Sequence, residues 1–288
     1  MKKKNKTFVS GLNPRNPLHR GFNYMLLILL TIIVFLPMII VFLVSFKTNQ
    51  EYMTTDFLTL PHSFFNFDNY INFIKKAKLG VALRNEIILI VIPTFATVVF
   101  GSMVAYVVTR FDFKMKKYVL LGFIIASLIP PITVQVAQFQ VIKALGLFNT
   151  IFAGLLIYSS AGVVEIYIFI QQMEKIPKSL DEAALVEGAT YFQIYRKIIF
   201  PLMKPAIATV TILRSIYIYN DMIMPYLIMP GRNLRTIVTA FLNFTYDQVS
   251  MWNIMGAGIT AIMLPIVILY IFIQRFIFSG ITSGAVKD

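Results

Sequence analysis

Long uncharged stretches alternate with short charged ones along this chain of 288 residues. A helix needs about 20 apolar residues to cross a hydrocarbon core of about 30 Å. Six stretches meet this requirement: residues 22–46, 87–109, 118–142, 144–173, 205–231 and 252–274. The pattern therefore predicts an all-α integral membrane protein with six transmembrane helices.

The segments between these stretches complete the predicted organisation. We expect a cytoplasmic tail (1–21), a first transmembrane helix (22–46), an extracytoplasmic loop (47–84), a core with five transmembrane helices (85–277) and a second tail (278–288). The first stretch follows four lysines, as in a signal peptide, but it is long for one and no small-residue cleavage site follows, so we expect it to be retained. Turn formers fill the loop, which has room for a helix along the surface.

Basic residues are distributed unequally between the two sides of this arrangement. Residues 1–21, 110–117, 174–204 and 275–288 hold 17 Lys and Arg, against 8 in the segments that alternate with them. Because basic residues are retained in the cytoplasm, both termini are expected there, in a bacterial cell membrane crossed several times. Anionic lipid accounts for the net charge of +13, so no nucleic-acid partner is expected.

Few residues could carry out chemistry. Charged residues make up 14% of the chain, against roughly 25% in soluble proteins. The chain has no cysteine and two histidines, and it lacks the glycine-rich nucleotide-binding motifs. We therefore expect no enzyme activity, no metal site and no cofactor, and any ATP must be bound by another protein.

Ionisable residues inside the predicted spans are the first candidates for a functional site, because a charge in the membrane is costly. Glu165 and Arg214 are predicted at similar depths from the cytoplasmic side and could form an ion pair. Thr211, Arg214, Tyr217 and Asp221 recur along one helical face, which Tyr219 and Asn220 extend. These seven residues suit a pathway for a sugar-like solute, in which rings pack on C–H faces and polar groups pair with hydroxyls. The alternative is a structural pair that joins the fourth and fifth spans.

Residues 177–201 form the most polar part of the predicted core. Pro177 precedes a capping box from Ser179 to Glu182, which predicts a short helix that ends at Gly188. Thr190 to Gln193 is a second capping box, and Pro201 is expected to end the helix that follows. The first helix carries alanines beside carboxylates, which favours contact with another protein. The alternative is an amphipathic elbow on the bilayer, which suits the second helix better.

The spacing in this segment resembles the EAA loop of ABC importer permeases. That loop has Glu-Ala-Ala, three residues, Gly, nine residues and then Ile-x-Leu-Pro, and this chain matches it except that Phe200 replaces Leu. Segments that resemble maltose-type sugar permeases, in particular the smaller six-span partner, are Ala105-Tyr106, RFDFKMKK at 110–117, LGLFNT at 145–150 and GITSGAVKD at 280–288.

The resemblance implies the type I permease fold of ABC importers and a set of partners. These are a second permease subunit, two cytoplasmic ATPase subunits that bind the ATP, an extracytoplasmic solute-binding protein and a sugar or oligosaccharide. It also implies a coupling helix that docks on an ATPase through Glu182, Ala183, Ala184 and Gly188.

Two departures from the family concern the solute. Tyr219 stands where Trp is usual, and Glu165 and Arg214 occupy positions expected to be uncharged, so one hypothesis is that Arg214 binds an acidic saccharide. A self-sufficient secondary transporter or channel that uses Glu165 and Asp221 for ion coupling is the alternative function.

Overall fold

The computed structural model describes residues 17–247 and 251–285, and their regular secondary structure is helical. The helices before the EAA segment are α1 (Pro17–Phe46), α2 (Asn49–Thr54), α3 (Asp68–Lys76), α4 (Leu79–Arg110), α5 (Lys116–Leu128), α6 (Pro131–Ala144), α7 (Ile151–Tyr158) and α8 (Val163–Glu174). They are followed by α9 (Ser179–Val186), α10 (Tyr191–Ile194), a π-helical turn (Tyr195–Ile199), α11 (Phe200–Leu202), α12 (Lys204–Asn220), α13 (Ile223–Ile228), α14 (Ile237–Asp247) and α15 (Trp252–Ala285). Of the predicted tails (1–21 and 278–288), residues 1–16 and 286–288 lie outside the described residues, whereas 17–21 belong to α1 and 278–285 to α15.

Each predicted span corresponds to one helix or to two helices joined at a bend. The segments Gly21–Phe46 and Leu79–Arg110 are long and apolar enough to cross a membrane as continuous helices. Three bent pairs pass the same test: α5 with α6 at 102°, α7 with α8 at 44°, and Tyr191–Leu202 with α12 at 75°, of which the last begins in the predicted cytoplasmic segment 177–201 and not in the span 205–231. The apolar part of α15, Trp252–Ile268, occupies the place of the sixth span. The predicted all-helical membrane fold is confirmed.

A pair of prolines accounts for the bend between α5 and α6. Pro130 has ψ 129°, outside the helical range, and Pro131 begins α6 after it. The prediction that Pro201 ends a helix was wrong, because the helical run Tyr191–Leu202 continues through Pro201 and the chain bends at Met203.

One compact unit comprises the described parts of Met1–Phe73 and Val249–Ala261. The Lys47 side chain is fully buried in it and donates to Thr55 Oγ1 at 3.0 Å and to the Asp56 carbonyl at 2.6 Å. Asn69 donates to the Ser45 and Lys47 carbonyls, both at 2.8 Å. These bonds connect the end of α1 to the segment predicted as an extracytoplasmic loop (47–84). That segment contains α2, α3 and the first turns of α4.

The other unit comprises Ile74–Gln248 and the described part of Ile262–Asp288, and α4 is central to it. This helix packs on α7, α8, α12 and α14. Gly101 allows the close approach of α8, because a Cβ there would lie 3.2 Å from the Phe169 ring. The helix begins at Leu79 and not near Ile87, so its first turns add Arg84, Asn85 and Glu86 to the predicted span.

Candidate functional site

The EAA segment forms a short helix that is buried on one side. In α9, Ala184 is 7% exposed and packs into the core, whereas Glu182 and Ala183 are exposed and Val186 is 90% exposed. The predicted capping box at Ser179 was wrong, because Lys178 occupies the N-cap position and no side chain caps the helix. Lys178 already has helical φ and ψ, so Ser179 lies inside the first turn and lacks the extended backbone that a capping serine uses.

The turn after α9 agrees with the sequence. Gly188 has a φ of +84°, the left-handed conformation that glycine adopts without steric cost. The predicted capping box at Thr190 is confirmed: Gln193 N–H donates to Thr190 Oγ1, and Thr190 N–H donates to Gln193 Oε1 at 2.8 Å. The EAA helix is therefore followed by a turn of defined geometry.

Polar contacts from the last turns of α4 hold both parts of the EAA segment. The Arg110 Nε atom lies 2.6 Å from Asp181 Oδ2, and another Arg110 nitrogen donates to the Ile176 carbonyl at 2.8 Å. Burial raises the pKa of the Asp181 carboxyl, and the Arg110 guanidinium opposes that rise. Ser102 and Tyr195 share a buried hydrogen bond of 2.7 Å between their hydroxyls. Movement of this segment would therefore act directly on α4.

The predicted ion pair between Glu165 and Arg214 is confirmed, at 3.6 Å. Arg214 also donates to the carbonyls of Tyr158 and Ser160, at 2.6 and 3.0 Å, where the chain leaves α7. Its guanidinium carbon lies 5.2 Å from the centre of the half-exposed Tyr217 ring. Arg214 is 7% exposed, so its positive charge is compensated by groups inside the protein and not by solvent. We call this set of residues the Arg214 group: Tyr158, Ser160, Glu165, Arg214, Tyr217 and Asp221.

Asp221 does not lie on the helical face where the sequence placed it. The α12 helix ends at Asn220, and Asp221 has an extended ψ of 114°. Its carboxylate accepts from the Tyr158 hydroxyl at 2.9 Å and from Ile223 N–H at 3.0 Å. Thr211 is exposed on the same helix, and its carbonyl accepts from Ser215.

Tyr219 and Asn220 belong to a different site. Tyr219 is 9% exposed and donates its hydroxyl to the Ile262 carbonyl at 2.7 Å. Both residues line a cavity of about 170 Å³ between α4, α12, α14 and α15, together with Glu86. We call this the Glu86 cavity. Glu86 lies one residue before the predicted span 87–109, so the pattern of uncharged residues did not indicate it.

Glu86 is the most deeply buried carboxylate of this unit among the residues that the structure describes, at 1% exposure. Its Oε2 atom accepts from Ile237 N–H at 3.0 Å, and Oε1 has no hydrogen-bond partner in the described part of the chain. The same residues contain no cluster of three metal-binding side chains. Oε1 thus retains the capacity to accept a hydrogen bond.

Comparisons with known proteins agree over most of the chain. A family described as the binding-protein-dependent transport system inner membrane component matches residues 87–283. The probable starch degradation products transport system permease protein AmyC of Thermoanaerobacterium thermosulfurigenes is 34% identical, over 91% of this chain and 94% of that protein. The trehalose transport system permease protein SugB of Mycobacterium tuberculosis is 32% identical, over 88% of this chain and 92% of that protein.

The fold also matches a solved structure, that of a bacterial ABC transporter involved in the import of the acidic polysaccharide alginate. The TM-score is 0.80 at 21% identity, and the match covers 91% of this chain and 98% of that one. The chain therefore belongs to the binding-protein-dependent inner membrane components, the permease subunits of ABC importers.

Proposed function

We propose that this chain forms half of the translocation pathway of an ATP-driven importer for a sugar or oligosaccharide. Relatives named for starch products and trehalose support a saccharide as solute. A second permease completes the pathway, an extracytoplasmic binding protein delivers the solute, and two cytoplasmic ATPases bind and hydrolyse ATP. Both termini lie in the cytoplasm, on the same side as α9.

The geometry of α9 is the observation that carries this function. Ala184 anchors the helix in the core and Asp181 pairs with Arg110, while Glu182 and Ala183 remain exposed. A helix that is held on one side and uncovered on the other suits insertion into a groove of an ATPase. Gly188 then turns the chain back, so the exposed face is short and well defined.

Coupling follows from the contacts behind α9. Closure of the ATPases displaces α9 as a rigid body, since its inner side is packed and paired. Arg110 passes the displacement to α4, and the hydroxyl pair of Ser102 and Tyr195 moves with it. Because α4 is a continuous helix of 32 residues, its cytoplasmic end and its pathway end shift together.

Bulk on the exposed face of α9 tests the docking. In the complete transporter, Ala183→Trp should release the ATPase during purification and abolish uptake, because the indole blocks close approach. Ala144→Trp, the same change at the exposed end of α6, should leave the ATPase bound. Wild-type ATPase content in Ala183→Trp would contradict docking through α9.

The energy source is a separate test. Proteoliposomes that contain the transporter should take up solute only when ATP is supplied on the ATPase side. Uptake driven by an ion gradient without the ATPase would favour a secondary transporter instead.

Exchanging the charges of the Arg110–Asp181 ion pair tests whether this pair transmits the displacement of α9 to α4. Arg110→Asp should lower solute-stimulated ATP hydrolysis while the ATPase stays bound. Adding Asp181→Arg should restore part of it, because the ion pair can reform with reversed charges. If the double variant were no better than Arg110→Asp, the ion pair would not be the connection between α9 and α4.

A further inference from the structure

The Glu86 cavity contains a polar atom that its own fold leaves without a partner. Glu86 is 1% exposed, and Oε1 receives no hydrogen bond from any described residue. It also forms no ion pair with them, in contrast to Glu165, which pairs with Arg214. A buried carboxylate with neither a second donor nor a countercharge is energetically unfavourable, so it either takes up a proton or receives a donor from a bound molecule.

The space beside Glu86 is large enough for that donor to be part of a solute. The cavity has a volume of about 170 Å³, whereas a water molecule takes up about 30 Å³ of liquid volume. Its wall is mainly apolar, with Ile87, Ile90 and Pro265 beside the ring of Tyr219. The Tyr219 hydroxyl is already engaged with the Ile262 carbonyl, so this side chain contributes its ring and not its polar end.

A second polar group lies at the cavity wall. The Asn220 side chain is exposed and forms no hydrogen bond with a described residue, so its amide can both donate and accept. The wall thus combines one buried acceptor, one free amide and an aromatic ring. This combination is complementary to a sugar ring, whose hydroxyls point outward and whose C–H faces are apolar.

The charge of the surroundings decides which kind of sugar fits. Arg214, the basic residue buried in α12, uses its charge on Glu165 and on two backbone carbonyls. No described Lys or Arg pairs with Glu86, so a carboxylate on the solute would find no countercharge in the cavity. We propose, as an extension of the proposed function, that the Glu86 cavity is a solute subsite: the Glu86 side chain turns Oε1 toward the cavity, accepts a hydroxyl of an uncharged saccharide unit there, and the site rejects a uronate.

The absence of cysteine from the chain allows a direct test of occupancy. Ile216 lines the cavity and is 37% exposed, so Ile216→Cys places a unique thiol of this chain there. In the assembled transporter, alkylation of this thiol by N-ethylmaleimide is followed by peptide mass spectrometry, with maltotriose as the neutral probe and trigalacturonate as the acidic one. Maltotriose should slow alkylation, and trigalacturonate should not.

Substitutions of Glu86 in this background test its role. Glu86→Leu should raise the maltotriose concentration for half-protection about tenfold, the loss expected for one hydrogen bond to a charged group. Glu86→Gln should keep most of the protection by maltotriose and allow protection by trigalacturonate, because it retains an acceptor and removes the charge. Glu174→Gln changes an exposed carboxylate outside the cavity and should alter neither.

Three results would overturn the subsite: no protection by either probe, equal protection by both in the wild-type background, or unchanged protection in Glu86→Leu. ATPase content of each variant shows whether it assembles. If the transporter still imports a saccharide with ATP, only the subsite fails. If it imports no saccharide at all, the proposed function fails with it.

Discussion

The Arg214 group and the Glu86 cavity each bury a charged side chain within the same unit, yet they treat it in opposite ways. Arg214 meets a carboxylate and two backbone carbonyls, whereas Glu86 meets a single N–H on one oxygen. A compensated charge holds helices together, and an uncompensated one remains available to a solute. Within this unit, Glu86 is therefore a better candidate than Arg214 for contact with a solute.

Arg214→Ala should cause the largest change in stability. Removal leaves Glu165 and two carbonyls without their donor, and breaking a buried pair in this way costs about 3–5 kcal/mol. The thermal unfolding midpoint of the purified transporter should fall, and uptake of neutral and acidic saccharides should decline together. Normal stability with loss of acidic uptake alone would mean that the guanidinium faces the solute. Arg214→Lys keeps the charge and should be less harmful.

Tyr158→Phe tests the outer part of the Arg214 group. It removes the hydroxyl that donates to Asp221 at 2.9 Å, at a cost of about 1.5–2 kcal/mol for a bond to a charged group. Unfolding in denaturant measures this loss. Tyr167→Phe is the matched control, since the Tyr167 hydroxyl bonds to no residue that the structure describes, and it should have little effect. Equal losses in the two variants would show that the Asp221 bond contributes nothing.

Glu86→Gln should shift stability in the opposite direction. The amide oxygen can still accept from Ile237 N–H, and the buried charge disappears, so the free energy of unfolding should rise by about 1 kcal/mol. Glu51→Gln is the contrasting control, because both oxygens of Glu51 accept from backbone N–H groups and the change should destabilise. A loss of stability in Glu86→Gln would mean that Glu86 is compensated after all.

Tyr217→Leu should have the smallest effect in the set. The half-exposed ring lies beside the Arg214 guanidinium at 5.2 Å, an arrangement worth about 0.5–1 kcal/mol. A double-mutant cycle with Arg214→Met, which removes the cation, isolates this contribution. A coupling energy of zero would place Tyr217 outside the Arg214 group and return it to the pathway.

The sequence predicted correctly those segments whose structure depends only on residues next to one another along the chain. The Thr190 cap and the left-handed Gly188 need only their own side chain and backbone, so the sequence was sufficient. The predicted cap at Ser179 was wrong, because a capping serine requires an extended backbone. Lys178 before it is already helical, so Ser179 lies inside the helix. Glu86 was not predicted as a site residue, because a span recognised by its lack of charge cannot include a carboxylate that becomes buried only through tertiary packing.

By itself, the sequence predicted the helical membrane class, the approximate place of the spans and the EAA helix, and it offered a Glu165–Arg214 ion pair as one of two alternatives, because hydrophobic period, caps and span depth are properties of short segments. Only the tertiary structure separated Tyr219 and Asn220 from Arg214, moved Asp221 off the helix and placed Glu86 beside a cavity. The reason is physical: whether a buried charge is compensated depends on groups from α4, α7, α8 and α12 that meet only when the chain folds.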